Sequence, residues 1–192
     1  MTKVFIGGSR RITRLPADVR RRLDRIVQKG LAVLIGDAHG ADKAVQQYLH
    51  GNGYERVEVF CTNGTCRNNL GGWTVRSVPA SGKRRDFSFY AAKDRAMAEE
   101  ATVGLMLWDG ESVGTLMNVL RLVRRGRTVV VYLAARRGFV DVRGEADWSR
   151  LIEACGAGLR ARVEREARAE ATPAGATTAD HTEQRSTQTS LF

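Results

Sequence analysis

Apolar residues fall in short, near-continuous runs along this chain, and most runs are followed by a stretch with helical spacing. Residues 3–6, KVFI, make the first run, which stops at Gly7 and Gly8. Residues 17–29 place Val19, Leu23, Ile26 and Val27 on one helical face and arginines on the other, with Gly30 as the stop. Residues 31–35 form the second run. Residues 41–49 carry Ala41, Ala44, Val45, Tyr48 and Leu49 at helical spacing. Residues 57–60 read as a third strand, 86–101 as a helix, 103–108 as a fourth strand, 114–125 as a helix and 128–134 as a fifth strand. Residues 147–169 read as helical, with a break at 156–158. Strands that are apolar throughout are covered on both faces, which implies a parallel sheet between helices. Right-handed crossovers then give an α/β, Rossmann-like, doubly wound parallel sheet of about five strands.

Two segments depart from this alternation. Residues 62–85 are rich in Gly, Asn, Ser and Arg, with Trp73 as the main apolar anchor. A loop of that length inside a compact domain is usually functional. After Glu170 the apolar periodicity is lost, and Thr, Ala, Ser and Gln dominate. The expected organisation is one domain over residues 1–169 and a disordered tail over 170–192.

Charge adds a possible partner. The chain of 192 residues has a formal net charge of +10, with arginines grouped at 20–25, 83–85 and 124–127. Such a surface attracts polyanions, nucleic acid or a phosphorylated ligand, although solvated helix faces also carry arginine. No aromatic stripe interleaves the basic groups, so a platform for stacking single-stranded bases is not indicated. No apolar run is long enough to span a bilayer, and no signal-peptide core follows the N-terminus, so a cytoplasmic location is expected. Cys61, Cys66 and Cys155 are read as reduced, unpaired thiols; no cluster completes a metal site, and no cofactor is called for. A homo-oligomer is left open.

The candidate chemistry lies in three turns at strand ends: GGSRR from Gly7, GDAHGAD from Gly36 and WDGESVGT from Trp108. Glycine permits close backbone approach, and the last two turns lead into helices whose first N–H groups suit phosphate. Gly7, Gly8, Ser9, Arg10, Gly36, Gly40, Asp42, Gly114 and Thr115 are the expected ligand-binding residues. Asp42 also favours a helix dipole, and Asp109 and Glu111 also solvate a turn. All three are candidates for acid–base work. His39 also stays a candidate, since histidine is a common acid or base in catalysis. Trp108 is read either as a base-stacking ring or as core.

The ordered set VFIGGSR, IGDAHGADKAV and KDRAMAEEATVGLMLWDGESVGT resembles the SLOG superfamily of Rossmann-like nucleotide-binding domains. That group includes the DNA-processing Smf/DprA proteins and the "lonely guy" phosphoribohydrolases; the small stand-alone branch is the most similar. The resemblance covers about residues 3–134. It implies a nucleotide site lined by the residues of the three turns, with Lys93 or, after a shift, Arg95 in place of an enzyme arginine. Two departures stand out. Asp37 follows Gly36 where a second glycine is usual. Asn118 occupies the place of the glutamate that works at the ribose, and an asparagine has no charge to act as a base.

The last five residues, QTSLF, resemble the bacterial sliding-clamp-binding motif, with Gln188, Leu191 and Phe192 as the anchors. Three functions follow as expectations: a nucleotide-binding sensor or accessory protein linked to replication or repair, an N-glycosidic-bond hydrolase using Asp42, Asp109 or Glu111, and a DNA-binding module of the DNA-processing type.

Overall fold

Two strands lie outside the runs that read as strands from the apolar pattern. The computed structural model describes residues 1–80 and 87–171. Its sheet has seven strands, not five, in the order β4-β3-β2-β1-β5-β6-β7. The expected five are β1 (Lys3–Gly8), β2 (Ala32–Gly36), β3 (Val57–Thr62), β5 (Val103–Trp108) and β6 (Thr128–Leu133). The additions are β4 (Thr74–Val78), inside the long polar segment, and β7 (Gly138–Val142). Both are edge strands, and β4 is exposed over four of its five residues. Backbone hydrogen bonding to β3 makes it a strand, so its side chains need no apolar pattern. β7 returns antiparallel to β6 through a short 3-10 turn at Ala134–Arg136, and Arg137 takes up the left-handed conformation at φ 48°.

The helices are α1 (Ala17–Gln28), α2 (Ala41–Gly51), α3 (Phe87–Glu100), α4 (Val113–Val123), α5 (Glu145–Glu153) and α6 (Ala157–Ala171). Alternate strand residues feed two cores. Val4, Ile6, Val33 and Ile35 meet Val19, Leu23 and Ile26 of α1 and Val45 and Leu49 of α2. Phe5, Leu34, Phe60 and Met106 meet Met97 of α3 and Leu116, Met117 and Leu120 of α4. Leu151 of α5 and Val163 of α6 extend this second core. Fully burying one such side chain stabilises the fold by roughly 1.5–3 kcal/mol.

From β1 the chain steps outward to β2, β3 and β4, then returns to β5 on the other side of β1. The crevice between the carboxyl ends of β1 and β5 is therefore the switch point of the sheet.

The thiol expectation needs correction. Cys61 and Cys66 form a disulfide with Cα atoms 5.1 Å apart, and Cys155 alone is free. Asn63 and Gly64, at φ 53° and 77°, turn the chain back at the end of β3 and bring Cys66 over Cys61. Among the described residues no helix is long and apolar enough to cross a membrane. The expected tail disorder, the QTSLF sequence and the basic group at 83–85 lie outside the described residues. Helix α6 runs two residues past the expected domain end at 169.

Candidate functional site

A cavity of about 550 Å³ opens at the β1/β5 switch point. Of the expected residues, Gly7, Gly8, Arg10, Asp42, Lys93, Asp109, Glu111, Gly114, Thr115 and Asn118 line it. Arg11, Arg67, Tyr90, Asp94, Ser112 and Arg162 line it too and were not among the expected site residues.

The two turns flanking the switch point are latched together. The buried Ser9 hydroxyl donates to Asp109 at 2.7 Å and accepts from the Arg11 N–H at 3.1 Å. Arg11 pairs with Glu111 across the same gap. Asp109 also accepts from the backbone N–H groups of Glu111 and Ser112, at 3.1 and 2.9 Å. Burial pushes its pKa up, but these donors outweigh it and hold the carboxyl below its ordinary value. Asp109 is thus an ionised acceptor that fixes the turn. Ser112 caps α4, its hydroxyl accepting from the Thr115 N–H at 3.3 Å. The start of α4, with Ser112, Gly114 and Thr115, faces the cavity with the positive end of its dipole.

The second turn is built differently from the expectation. Gly36 and Gly40 do not line the cavity. A Cβ on Gly36 would collide with the Asp42 carboxyl and the Lys93 ammonium. Gly40, at φ 81°, lies against the backbone of Arg10, and the Ala41 N–H is already donated to the Ser9 carbonyl at 3.0 Å. These glycines let the first two turns and the charged floor come together, rather than opening the backbone to a ligand.

That floor is a buried cluster of charge. Asp37, at the position of a second glycine, is 2% exposed and takes Arg67 through Nε at 3.0 Å and Nη2 at 2.7 Å. Burial works to raise its pKa, but Arg67 and Lys93 hold it below the ordinary value. Arg67 comes from the long polar segment, which is tied down by Asn68 to the Asp37 carbonyl at 2.8 Å and by Gln46 to the carbonyls of Gly36 and Asn68. Lys93 is buried with its Nζ 2.9 Å from Asp94 and 3.9 Å from Asp37. Burial pulls this ammonium down, but Asp94, Asp42 and Asp37 together lift it above its ordinary value. Asp42 accepts from the Ala38 N–H at 3.1 Å, and burial pushes its pKa up to about 6 despite Lys93. Its charge therefore changes near neutrality. Asn118 is 6% exposed, donates to Asp94 at 3.3 Å and accepts from Arg121.

At the mouth, Tyr90 has the guanidinium groups of Arg10 and Arg67 over its ring, 5.4 and 5.0 Å from the centroid. Arg95 does not line the cavity and pairs with Glu170 at 3.3 Å. Of the two alternatives, Lys93 reaches the site because it and Arg95 sit on different faces of α3. His39 is exposed and outside the cavity. Trp108 belongs to the core of the α3/α4 face. Among the described residues no group of His, Cys, Asp and Glu could hold a metal ion.

The signal for Arg67 and Asp94 was present but unreadable. Arg67 is one arginine in a polar loop, and Asp94 adjoins a lysine as it would on any solvated helix.

No protein-family model matches the sequence, and no curated protein does. Solved structures do. DNA processing protein A from Streptococcus pneumoniae superposes with a TM-score of 0.54 at 18% identity, over 80% of this chain and 57% of that one. DNA processing protein A from Helicobacter pylori, a structure described for its single-stranded DNA binding mode, gives 0.52 at 13% identity, over 88% and 81%. The structural-genomics target TM1055 gives 0.50 at 19%, over 80% and 82%. The chain spans just over half the length of the Streptococcus protein. At these identities the likeness concerns the backbone: this chain has the Rossmann-like α/β fold found in DNA processing protein A and in TM1055.

Proposed function

We propose that the cavity at the switch point binds a nucleotide or nucleotide-derived ligand, and that the protein is a sensor or accessory factor. The carrying observation is the meeting of the α4 N-terminus with Arg10, Arg11, Arg67 and Arg162 around one cavity of about 550 Å³. Helix N–H donors and guanidinium forks both suit a phosphate, and the volume suits a small organic ligand. Asp109 and Glu111 line the same cavity, and carboxylates of this kind suit sugar hydroxyls as acceptors.

Hydrolysis of an N-glycosidic bond is the alternative for the same cavity. Asn118 offers no base, and Asp109 is held ionised by its donors. Asp42 would have to serve, since its pKa near 6 is in the working range.

Calorimetry with nucleoside mono-, di- and triphosphates, followed by chromatography of the same mixtures, separates these readings. We expect binding without release of free base. Arg10→Ala and Gly114→Val each weaken it, the first by about tenfold for a lost charge-assisted contact. Wild-type affinity in both variants would move the site elsewhere. Release of base would replace binding with hydrolysis.

The second reading concerns placement in the cell. Gln188, Leu191 and Phe192 resemble clamp-binding anchors, and a basic chain held near replicating DNA gains effective concentration there. This reading rests on the sequence, together with the fold shared with DNA-processing proteins.

A further inference from the structure

Glu170 lies in the last turn of α6 and does not line the cavity, yet a continuous run of polar contacts joins it to the cavity floor. Its carboxylate takes the Arg121 Nε at 3.1 and 3.2 Å, and Arg121 Nη2 as well. Arg121 is 3% exposed and presents Nη1 to the Asn118 carbonyl oxygen. The Asn118 amide then faces Asp94 at 3.3 Å, and Asp94 holds the Lys93 ammonium at 2.9 Å. Lys93, Asp94 and Asn118 all line the cavity, and α6 contributes Arg162 to the same lining.

Each link constrains the next. A guanidinium has only donors, so Arg121 fixes Asn118 with its oxygen toward Arg121 and its NH₂ toward Asp94. The Arg121 charge is buried and needs a carboxylate. Glu170 supplies it, leaving Asp94 to Lys93.

We propose that Glu170 is a positioning residue for the cavity, acting through Arg121 and Asn118, so that the seating of α6 and occupancy of the cavity are coupled. This rests on the reading of the cavity as a ligand site. Without the Glu170 charge, Arg121 turns to Asp94, and Lys93 is released toward Asp42. Coupling is reciprocal: a ligand that steadies Lys93 and Asp94 also steadies the last turns of α6.

The test uses the full chain and the variant Glu170→Gln, with Glu166→Gln as a control on the same helix, where the carboxylate meets Arg165. The first readout is the titration of the Asp42 carboxyl by carbon NMR without ligand. The charged groups acting on Asp42 are Lys93 and Asp94 from α3, Asp37 from the β2–α2 turn and Arg67 from the polar loop. Glu170→Gln lowers the Asp42 midpoint because Lys93 moves toward it, whereas Glu166→Gln leaves it in place. The second readout uses AMP as probe. Glu170→Gln weakens AMP about fivefold or more, and AMP slows amide exchange in the last turns of α6 in the wild type.

An unmoved Asp42 midpoint in a folded Glu170→Gln protein overturns the positioning role, whether or not AMP binds. Failure of the wild type to bind any nucleotide overturns the ligand reading instead. If Glu170→Gln does not fold, the double variant Arg121→Met/Glu170→Met removes the pair without stranding the buried Arg121 charge; Arg95, which loses Glu170 too, has a side chain 42% exposed to water. It is expected to fold and still to bind AMP more weakly; wild-type affinity in it overturns the proposal.

Discussion

Asp42 is wholly buried in the first turn of α2, where the helix dipole favours its charge and desolvation opposes it. Desolvation is the larger effect, and the carboxyl titrates near 6 rather than 3.8. The sign of the consequence follows from linkage. Below about pH 4 both the folded and the unfolded chain carry the proton. As pH rises toward 6 the unfolded chain releases it first, so this group costs the fold stability that levels off above 6, at about 3 kcal/mol for a shift of about two units. Asp42→Asn keeps an acceptor for the Ala38 N–H and removes the titration. Urea unfolding at pH 4, 5, 6 and 7 is expected to show the variant gaining on the wild type as pH rises. A constant difference across that range would mean that Asp42 is ionised throughout in the folded protein. An anion entering the cavity beside Asp42 would favour the neutral form of its carboxyl.

At the level of elements, the polar segment between β3 and β4 decides whether the cavity has its fourth arginine. It crosses between two parallel strands without a helix and is held by the Cys61–Cys66 disulfide, by Gln46 and by the Trp73 indole donating to the Tyr54 carbonyl at 2.9 Å. Arg67 follows directly after Cys66, so the disulfide limits how far it strays from Asp37. Closing so short a loop stabilises the fold by about 2 kcal/mol on a chain-entropy estimate. Unfolding free energies from urea titrations with and without a thiol reductant should differ by that amount in the wild type, with a lower midpoint under reductant, and coincide in Cys61→Ser/Cys66→Ser. Equal wild-type midpoints would show that the thiols do not hold the segment.

Over the whole molecule the net charge is +10, and among the described residues arginines lie on both faces of the sheet as well as at the cavity. Arg20, Arg21 and Arg25 are exposed on α1, on one face of the sheet, whereas Arg124, Arg125 and Arg127 follow α4 on the other. Arg121 and Arg67 are committed to carboxylates. Any binding to DNA by such a surface is expected to be weak and steeply dependent on salt. The clamp reading predicts a different behaviour. A labelled peptide of residues 180–192 should bind a bacterial sliding clamp at about micromolar affinity in fluorescence anisotropy, and lose binding when Leu191 and Phe192 become alanine. An alanine peptide that binds as well as the natural one would remove the clamp from this account.

The sequence by itself determined the alternation of strands and helices, because burial on both faces demands unbroken apolar runs in β1, β2, β3, β5 and β6. It also marked the strand ends where Gly7, Gly8, Arg10, Asp109, Gly114 and Thr115 meet, since glycine and a helix start are local signals. It left β4 and β7 unread: β4, exposed over four of its five residues, is made a strand by its neighbour's hydrogen bonds, and the apolar run of β7, Phe139 and Val140, stops after two residues at Asp141. Nor could it tell Lys93 from Arg95, foresee Asp37 with Arg67, or follow Arg121 to Glu170. A lone charge in a sequence reads as solvated; only long-range packing removes the water and requires each such charge to find its partner.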